Sequence, residues 1–212
     1  MAEDARTAKN DLADNWCWRY ASDEDRAYHF GEWGVPCHDD VRMFEHFSME
    51  CLQCGLSWNT ILLKRTVLRE CFAGFDIDAV AAFREDDVER ILATPGMLRS
   101  APKVRAIIGN ARAAQGIREK FGSFSAYFWN WTDGKTILYE GHDLGGIPAR
   151  NGLSTRIAAD LKKRGFKFVG PINVYAHLQS CGIVCDHNAR CPRYAFVTEN
   201  FPCMRLPRDN EG

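Results

Sequence analysis

Val41-Arg42-Met43-Phe44-Glu45-His46-Phe47-Ser48-Met49-Glu50-Cys51-Leu52-Gln53-Cys54, followed by Gly55, sets Phe44, Phe47, Cys51 and Cys54 three and four residues apart. That spacing lines one face of an α-helix over 41–54, and the glycine is a natural stop. The pattern continues outward from this segment. A second helix is expected over 60–72, and Asp76 is placed to cap a short one ending at Phe83. Residues 86–92 form another, with acidic side chains in the first turn, where the helix dipole favours them. After the break at Thr94-Pro95-Gly96, residues 103–120 carry Val104, Ile107, Ile108, Ala111 and Ala114 on one face. Ser123 is expected to cap a helix holding Phe124, Phe128 and Trp131. Ser154 is expected to cap one that runs to Arg164 and closes at Gly165, and 172–181 gives the last, ended by Gly182. Residues 132–152 are glycine-rich and irregular, and no run alternates as a strand would. The expected fold class is all-α. One unit over 16–191, compact or in two helical lobes, lies between a solvated leader over 1–15 and an irregular tail over 192–212.

A chain of 212 residues can bury a sizeable core without disulfides. No apolar stretch approaches the roughly 20 residues that span a bilayer, and residues 1–15 lack a secretory apolar region, so a cytoplasmic protein with no membrane partner is expected. Nine cysteines, an odd number, then point to metal ligation and buried thiols rather than a disulfide framework. The formal net charge of −1 gives no global attraction to nucleic acid. Any DNA contact must use a local patch or backbone amides.

His187 and Cys191 form a His-x3-Cys pair able to reach one ion from a single turn. Two second pairs would close a tetrahedral site: Cys181 with Cys185 nearby, or Cys17 with His29 from the other end of the chain. Spacing leaves both open. Four protein ligands make either site structural, since no position is left for substrate.

Glu50 lies on the flank of an apolar stripe, three and four residues from Phe47 and Cys54. It is either a surface carboxylate at the edge of that stripe or a pocket carboxylate whose burial serves a ligand. Trp58, just beyond the break at Gly55, can fold back toward it, whereas Trp16, Trp129 and Trp131 read as core residues. Two rivals are weighed beside an enzyme: a zinc-stapled module that recognises damaged DNA without cutting, and a Cys51–Cys54 redox pair. The redox pair lacks the strand-to-helix context such motifs use.

Tyr28-His29 with Glu32-Trp33-Gly34-Val35-Pro36, Glu50 with Gly55-Leu56-Ser57-Trp58, Ile107-Ile108-Gly109-Asn110-Ala111-Arg112, and Leu161-Lys162-Lys163-Arg164-Gly165-Phe166-Lys167-Phe168-Val169-Gly170 stand in order. Cys181-Gly182-Ile183-Val184 and Asp186-His187 close the series. Together they resemble the type I 3-methyladenine DNA glycosylases over 17–191. The resemblance implies a structural Zn2+ on Cys17, His29, His187 and Cys191. It implies a base pocket of Glu50, Tyr28 and Trp58 supported by Trp33, with Glu50 as the catalytic residue and the two rings sandwiching the base. It also implies a helix-hairpin-helix at 91–98, where backbone amides around Gly96 would hold DNA and Arg99, Lys103 and Arg105 add positive charge; Leu56, on the turn beside Trp58, is a candidate wedge for the vacated stack. The partner would be double-stranded DNA carrying alkylated bases, bound by a monomer.

The implied chemistry is undemanding. A methyl on adenine N3 makes the base cationic, so it departs as a neutral molecule without enzymatic protonation. The protein's work is extrusion and selection. Consistently, 103–120 contains no Asp of the kind related glycosylases use to stabilise a sugar cation. Three positions depart from the pattern: Phe30 where the family has an acid, Arg19 where it has a Trp, and an interval from Cys17 to His29 one residue short. Trp18 is the candidate replacement for the missing aromatic wall.

Overall fold

The computed structural model describes residues 16–208. The expected leader at 1–15 lies outside them. Eleven α-helices order the described chain. The first five are α1 (Asp23–Gly31), α2 (Asp40–Gln53), α3 (Trp58–Leu63), α4 (Arg65–Cys71) and α5 (Ile77–Ala81). Next come α6 (Glu85–Ala93), α7 (Ala101–Phe121) and α8 (Phe124–Trp129). The last three are α9 (Gly152–Lys163), α10 (Pro171–Ser180) and α11 (Pro192–Asn200). No helix among the described residues is long and apolar enough to cross a membrane.

α2 is the hub. Asp39 caps it, accepting from the Arg42 amide at 2.8 Å, and it ends before Gly55, whose φ of +78° suits glycine. Every residue from Met43 to Leu52 is buried, so the helix is enclosed on all sides rather than along one stripe. α10, α8, α7 and α3 surround it. Phe47 meets Phe124, Phe166 and His177 edge-on in the centre of the core.

Three sequence expectations change. The helix expected over 60–72 divides at Lys64 into α3 and α4. The break turns the guanidinium of Arg65 inward to Glu32 and Glu45. The cap of α9 is Asn151 rather than Ser154. Asn151 accepts from the Ser154 amide at 2.8 Å while the Ser154 hydroxyl accepts from the Asn151 amide at 3.0 Å, a reciprocal box begun three residues earlier. The segment from 192 onward is not irregular: it supplies α11 and then strand β2 (Cys203–Leu206), parallel to β1 (Thr136–Tyr139) with Thr136 opposite Cys203. Four-residue strands whose partner lies over sixty residues away show no alternation to read.

The loop between α9 and α10 is pinned by Asn110, a fully buried amide on α7. It accepts from the Lys167 amide at 2.8 Å and donates to the Lys167 carbonyl at 3.1 Å. Removing it strands two backbone groups. Asn110→Ala should therefore lower stability by about 2–3 kcal/mol, read as a lower urea midpoint at unchanged slope. A loss below about 0.5 kcal/mol would show that this bridge does not hold the loop.

Candidate functional site

α1 is short and polar, and it presents two adjacent residues in different directions, as a 3.6-residue turn requires. Ser22 caps it, accepting from the Asp25 amide at 3.1 Å, and the same hydroxyl donates to Asn59 of α3 at 2.6 Å. Tyr28 faces a cavity shared with α2 and α3, and His29 faces the other end of the chain.

At that second face Cys17, His29, His187 and Cys191 converge, their ligand atoms all within 4.8 Å of one another. Cys17 Sγ stands 3.5 Å from His187 Nδ1, and Cys191 Sγ lies 3.7 Å from His187 Nδ1 and 3.8 Å from His29 Nε2. Tetrahedral bonds of about 2.0–2.1 Å to nitrogen and about 2.3 Å to sulfur put ligand edges at roughly 3.3–3.8 Å, so the cluster fits a metal ion. The outer nitrogens are engaged as well. His187 Nε2 donates to the Trp33 carbonyl at 3.0 Å, and His29 Nδ1 meets the Tyr20 hydroxyl at 3.1 Å, contacts that leave the other nitrogen of each ring for metal. Cys17 and Cys191 share a hydrogen bond, which holds the Cys191 thiol below its ordinary range and pushes Cys17 above it.

The remote pair thus completes the cluster despite the short interval between Cys17 and His29. Cys181 packs beside His177, and Cys185 beside Leu138 and Val197. Cys51 and Cys54 are free thiols, Cys51 facing the Lys167 carbonyl and Cys54 the Asn173 amide.

The other face of α1 opens on a cavity of about 420 Å3 lined by Trp18, Asp25, Tyr28, Trp33, Glu50, Gln53, Trp58 and Gln179, among others. Tyr28, Glu50 and Trp58 therefore do meet, and Glu50 is not at the surface: it is 5% exposed. Glu50 Oε2, the Tyr28 hydroxyl and Trp58 Nε1 are all buried without a hydrogen-bond partner. Three orphaned polar atoms on one cavity mark a place built for a ligand that supplies their partners. Burial raises the Glu50 carboxyl to about 8.

Nearby carboxylates are treated in the opposite way. Arg65 grips Glu32 at 2.6 and 2.8 Å and Glu45 at 2.8 and 3.1 Å, and Arg69 adds a 2.6 Å bond to Glu45. Burial alone would raise Glu32, but hydrogen bonds from His46 and Arg65 hold it well below the carboxylate range.

The aromatic walls differ from expectation. Tyr28 and Trp58 lie 5.1 Å apart, tilted by 53°. A base between two parallel rings needs roughly 7 Å, twice a carbon contact distance of about 3.5 Å, so the two form one wall rather than a sandwich. Trp18 and Trp33, 4.7 Å apart and edge to face, also line the cavity. Asp25 orients Trp18, accepting from its indole nitrogen at 3.3 Å, a role with no signal in the sequence. Phe30 meets His29 edge-on, and Arg19 is exposed. Trp129 is core, donating to the Cys37 carbonyl at 2.7 Å, whereas Trp16 and Trp131 are half-buried.

The residues expected on DNA divide. Gly96 (φ +82°) and Arg99 are exposed in the loop between α6 and α7, and Leu56 is exposed on the turn before Trp58, flanking a shallow hollow with Ile172. Lys103 is otherwise occupied: its ammonium donates to the Leu52 carbonyl at 2.7 Å and to that of Cys54, closing the C-terminal end of α2. Arg105 is paired with Glu85.

Comparison with known proteins points to one family. Residues 16–194 match the family model described as methyladenine glycosylase. The chain is 42% identical over 168 residues to DNA-3-methyladenine glycosylase 1 of Escherichia coli, covering 79% of this chain and 90% of that protein. It is 37% identical to the DNA-3-methyladenine glycosylase of Haemophilus influenzae, over 78% of this chain and 89% of the relative. Among solved structures it resembles 3-methyladenine DNA glycosylase I from Staphylococcus aureus, studied for 3-methyladenine recognition, with a TM-score of 0.80 and 31% identity over 85% of this chain and 96% of that one.

Two outcomes follow from the geometry. Because the folded state binds a proton at Glu50 more tightly than an ordinary carboxylate with a value of 4.5, its stabilising effect is full below that value and is lost as pH rises through about 8. The stability of Glu50→Gln relative to wild type should thus widen steadily from pH 5 to pH 8 in urea titrations. A pH-independent difference would show that Glu50 is solvated. Gly34 (φ +75°) lies under His187, where an added Cβ would fall 2.6 Å from Nε2. Gly34→Ala should lower both Tm and bound-metal stoichiometry, and full metal content at unchanged Tm would contradict the tight approach.

Proposed function

This chain belongs to the methyladenine glycosylase family, and from that premise we propose that it removes 3-methyladenine from double-stranded DNA by hydrolysing the N-glycosidic bond, acting as a monomer. The observation that carries the reading is the convergence of Glu50, Tyr28 and Trp58, each with an unpartnered buried polar atom, on one cavity. A flipped base enters there and lies between the Tyr28–Trp58 wall and the Trp18–Trp33 pair. A cationic ring gains about 0.5–2 kcal/mol against such faces. Glu50 acts as the catalytic residue by accepting from the exocyclic amine edge. Its ionised form favours the methylated cation over ordinary adenine, and the unpaired site explains why the carboxyl is protonated at neutral pH until a cation arrives.

The α6–loop–α7 unit is proposed as the helix-hairpin-helix that holds the backbone. Gly96 and the N-terminus of α7, which has no side-chain cap, offer amides to phosphate, and Arg99 adds charge. Lys103 serves this unit indirectly, by fixing the end of α2 beside it. Leu56 enters the gap left in the stack.

The metal is proposed to be Zn2+, which two thiolates and two imidazoles in a tetrahedron select. Bound there, it supplies folding energy rather than reactivity, since all four positions are taken by protein.

Purified protein should release 3-methyladenine from methylated DNA. Glu50→Gln should lower kcat/KM by about 10²-fold, and Trp58→Ala by about 3- to 30-fold. Full release by Glu50→Gln would remove Glu50 from the mechanism. Separately, Cys191→Ala should lose one equivalent of zinc by elemental analysis and melt at a lower temperature. Unchanged zinc content would refute the ligand set.

A further inference from the structure

Gln179 stands at the last turn of α10, half-buried, with its side chain on the wall of the base cavity. Its backbone is tied into the metal-bearing motif, because its carbonyl accepts from the Gly34 amide at 3.1 Å. Its side chain is held from behind. Gln179 Nε2 donates at 2.7 Å to Oδ2 of Asp186, a carboxylate 1% exposed. That same oxygen accepts from the Tyr175 hydroxyl at 2.7 Å, and His142 Nδ1 lies 2.8 Å from the other oxygen.

This arrangement fixes the amide's sense. Only the nitrogen of a glutamine can donate to a carboxylate, so the carbonyl oxygen must be the end turned away from Asp186. No described residue donates a hydrogen bond to that oxygen. Gln179 lines the same cavity as Glu50, whose Oε2 is buried without a partner, so residues of two helices, α2 and α10, can each offer an acceptor to a ligand held there.

Adenine has one group that matches two acceptors: the exocyclic amine, with two hydrogens. Guanine carries a carbonyl oxygen at the same ring position, and two protein acceptors would repel it. Resting on the glycosylase reading above, we infer that Gln179 is a base-selecting residue. Its carbonyl accepts the second amine hydrogen of the flipped adenine, and the Asp186–Tyr175–His142 cluster keeps that carbonyl aimed inward. The class of base admitted is then set by a pair of acceptors rather than by Glu50 alone. A site built to hydrogen-bond a polar group discriminates far better than one that only measures size.

The test uses the full chain on DNA methylated to contain both 3-methyladenine and 3-methylguanine. Gln179→Met keeps the length of the side chain and removes the amide. Its release of 3-methyladenine should fall roughly tenfold while release of 3-methylguanine holds or rises, so the ratio of the two shifts toward guanine. Equal loss of both bases, or no change in the ratio, would overturn the inference and leave the glycosylase reading intact. Wild type that releases neither base would overturn both. A second measurement needs no variant. Calorimetric binding of free 3-methyladenine to wild type should weaken about tenfold when one amine hydrogen is replaced by methyl, and equal binding would contradict a second acceptor even if Gln179→Met fails to fold.

Discussion

Residues 34–36 and 182–187 meet with almost no space between them, and the placement of α1 and its side chains depends on that crossing. Gly34 lies against the ring of His187, and Gly182, at φ +70°, lies where a Cβ would stand 2.4 Å from the Pro36 nitrogen. Neither position accepts a side chain. Around the crossing the Cys17, His29, His187 and Cys191 ligands close on one point. α1 is too short and too polar to be placed by its own apolar face, because it buries only Asp25, Tyr28 and His29. Its position is set by His29 in the cluster and by Glu32, just past its end, in the grip of Arg65. Tyr28 reaches the cavity it shares with Glu50 and Trp58 because its neighbour His29 reaches the Cys/His cluster.

The carboxylates around α2 show how one environment yields two roles. Glu45 and Glu32 are surrounded by guanidinium and imidazole groups that repay the loss of water. Glu50, five residues along the same helix as Glu45, receives no cation and is left with an orphaned oxygen. A buried charge without a partner destabilises the fold, and such a cost persists where a ligand or a reaction requires it. In the proposed function a cationic base gives Glu50 the partner that Arg65 gives Glu45. The selecting group there is one desolvated carboxyl that ionises against a cation, which requires no surface field from a protein of net charge −1.

The side proposed to face DNA likewise carries few free charges. Lys103 and Arg105, the basic residues that begin α7, are engaged by carbonyls of α2 and by Glu85. What remains outward is backbone at the tip of the α6–α7 loop, Arg99, and the apolar edge of Leu56 and Ile172 beside the cavity mouth. The proposed contact with DNA accordingly rests on amide geometry and insertion, which suits a near-neutral protein.

Helix periodicity, caps and glycine stops determined most of the elements from sequence, since these signals are local: α2, α7 and α8 appear within a residue or two of where spacing puts them. The resemblance in ordered motifs identified the family, and the residues it implied come together in space as two groups, Cys17, His29, His187 and Cys191 in one and Tyr28, Glu50 and Trp58 in the other. What local pattern could not carry was decided by contacts between distant residues. The division of α3 from α4 depends on Glu32 and Glu45 drawing in Arg65, and β2 exists because β1 lies ready to pair with it. α2 looked like an amphipathic helix with Glu50 at its margin, yet neighbours from four other helices enclose it. Whether a carboxylate is solvated or stranded is a property of what surrounds it in three dimensions, and no spacing along the chain encodes that.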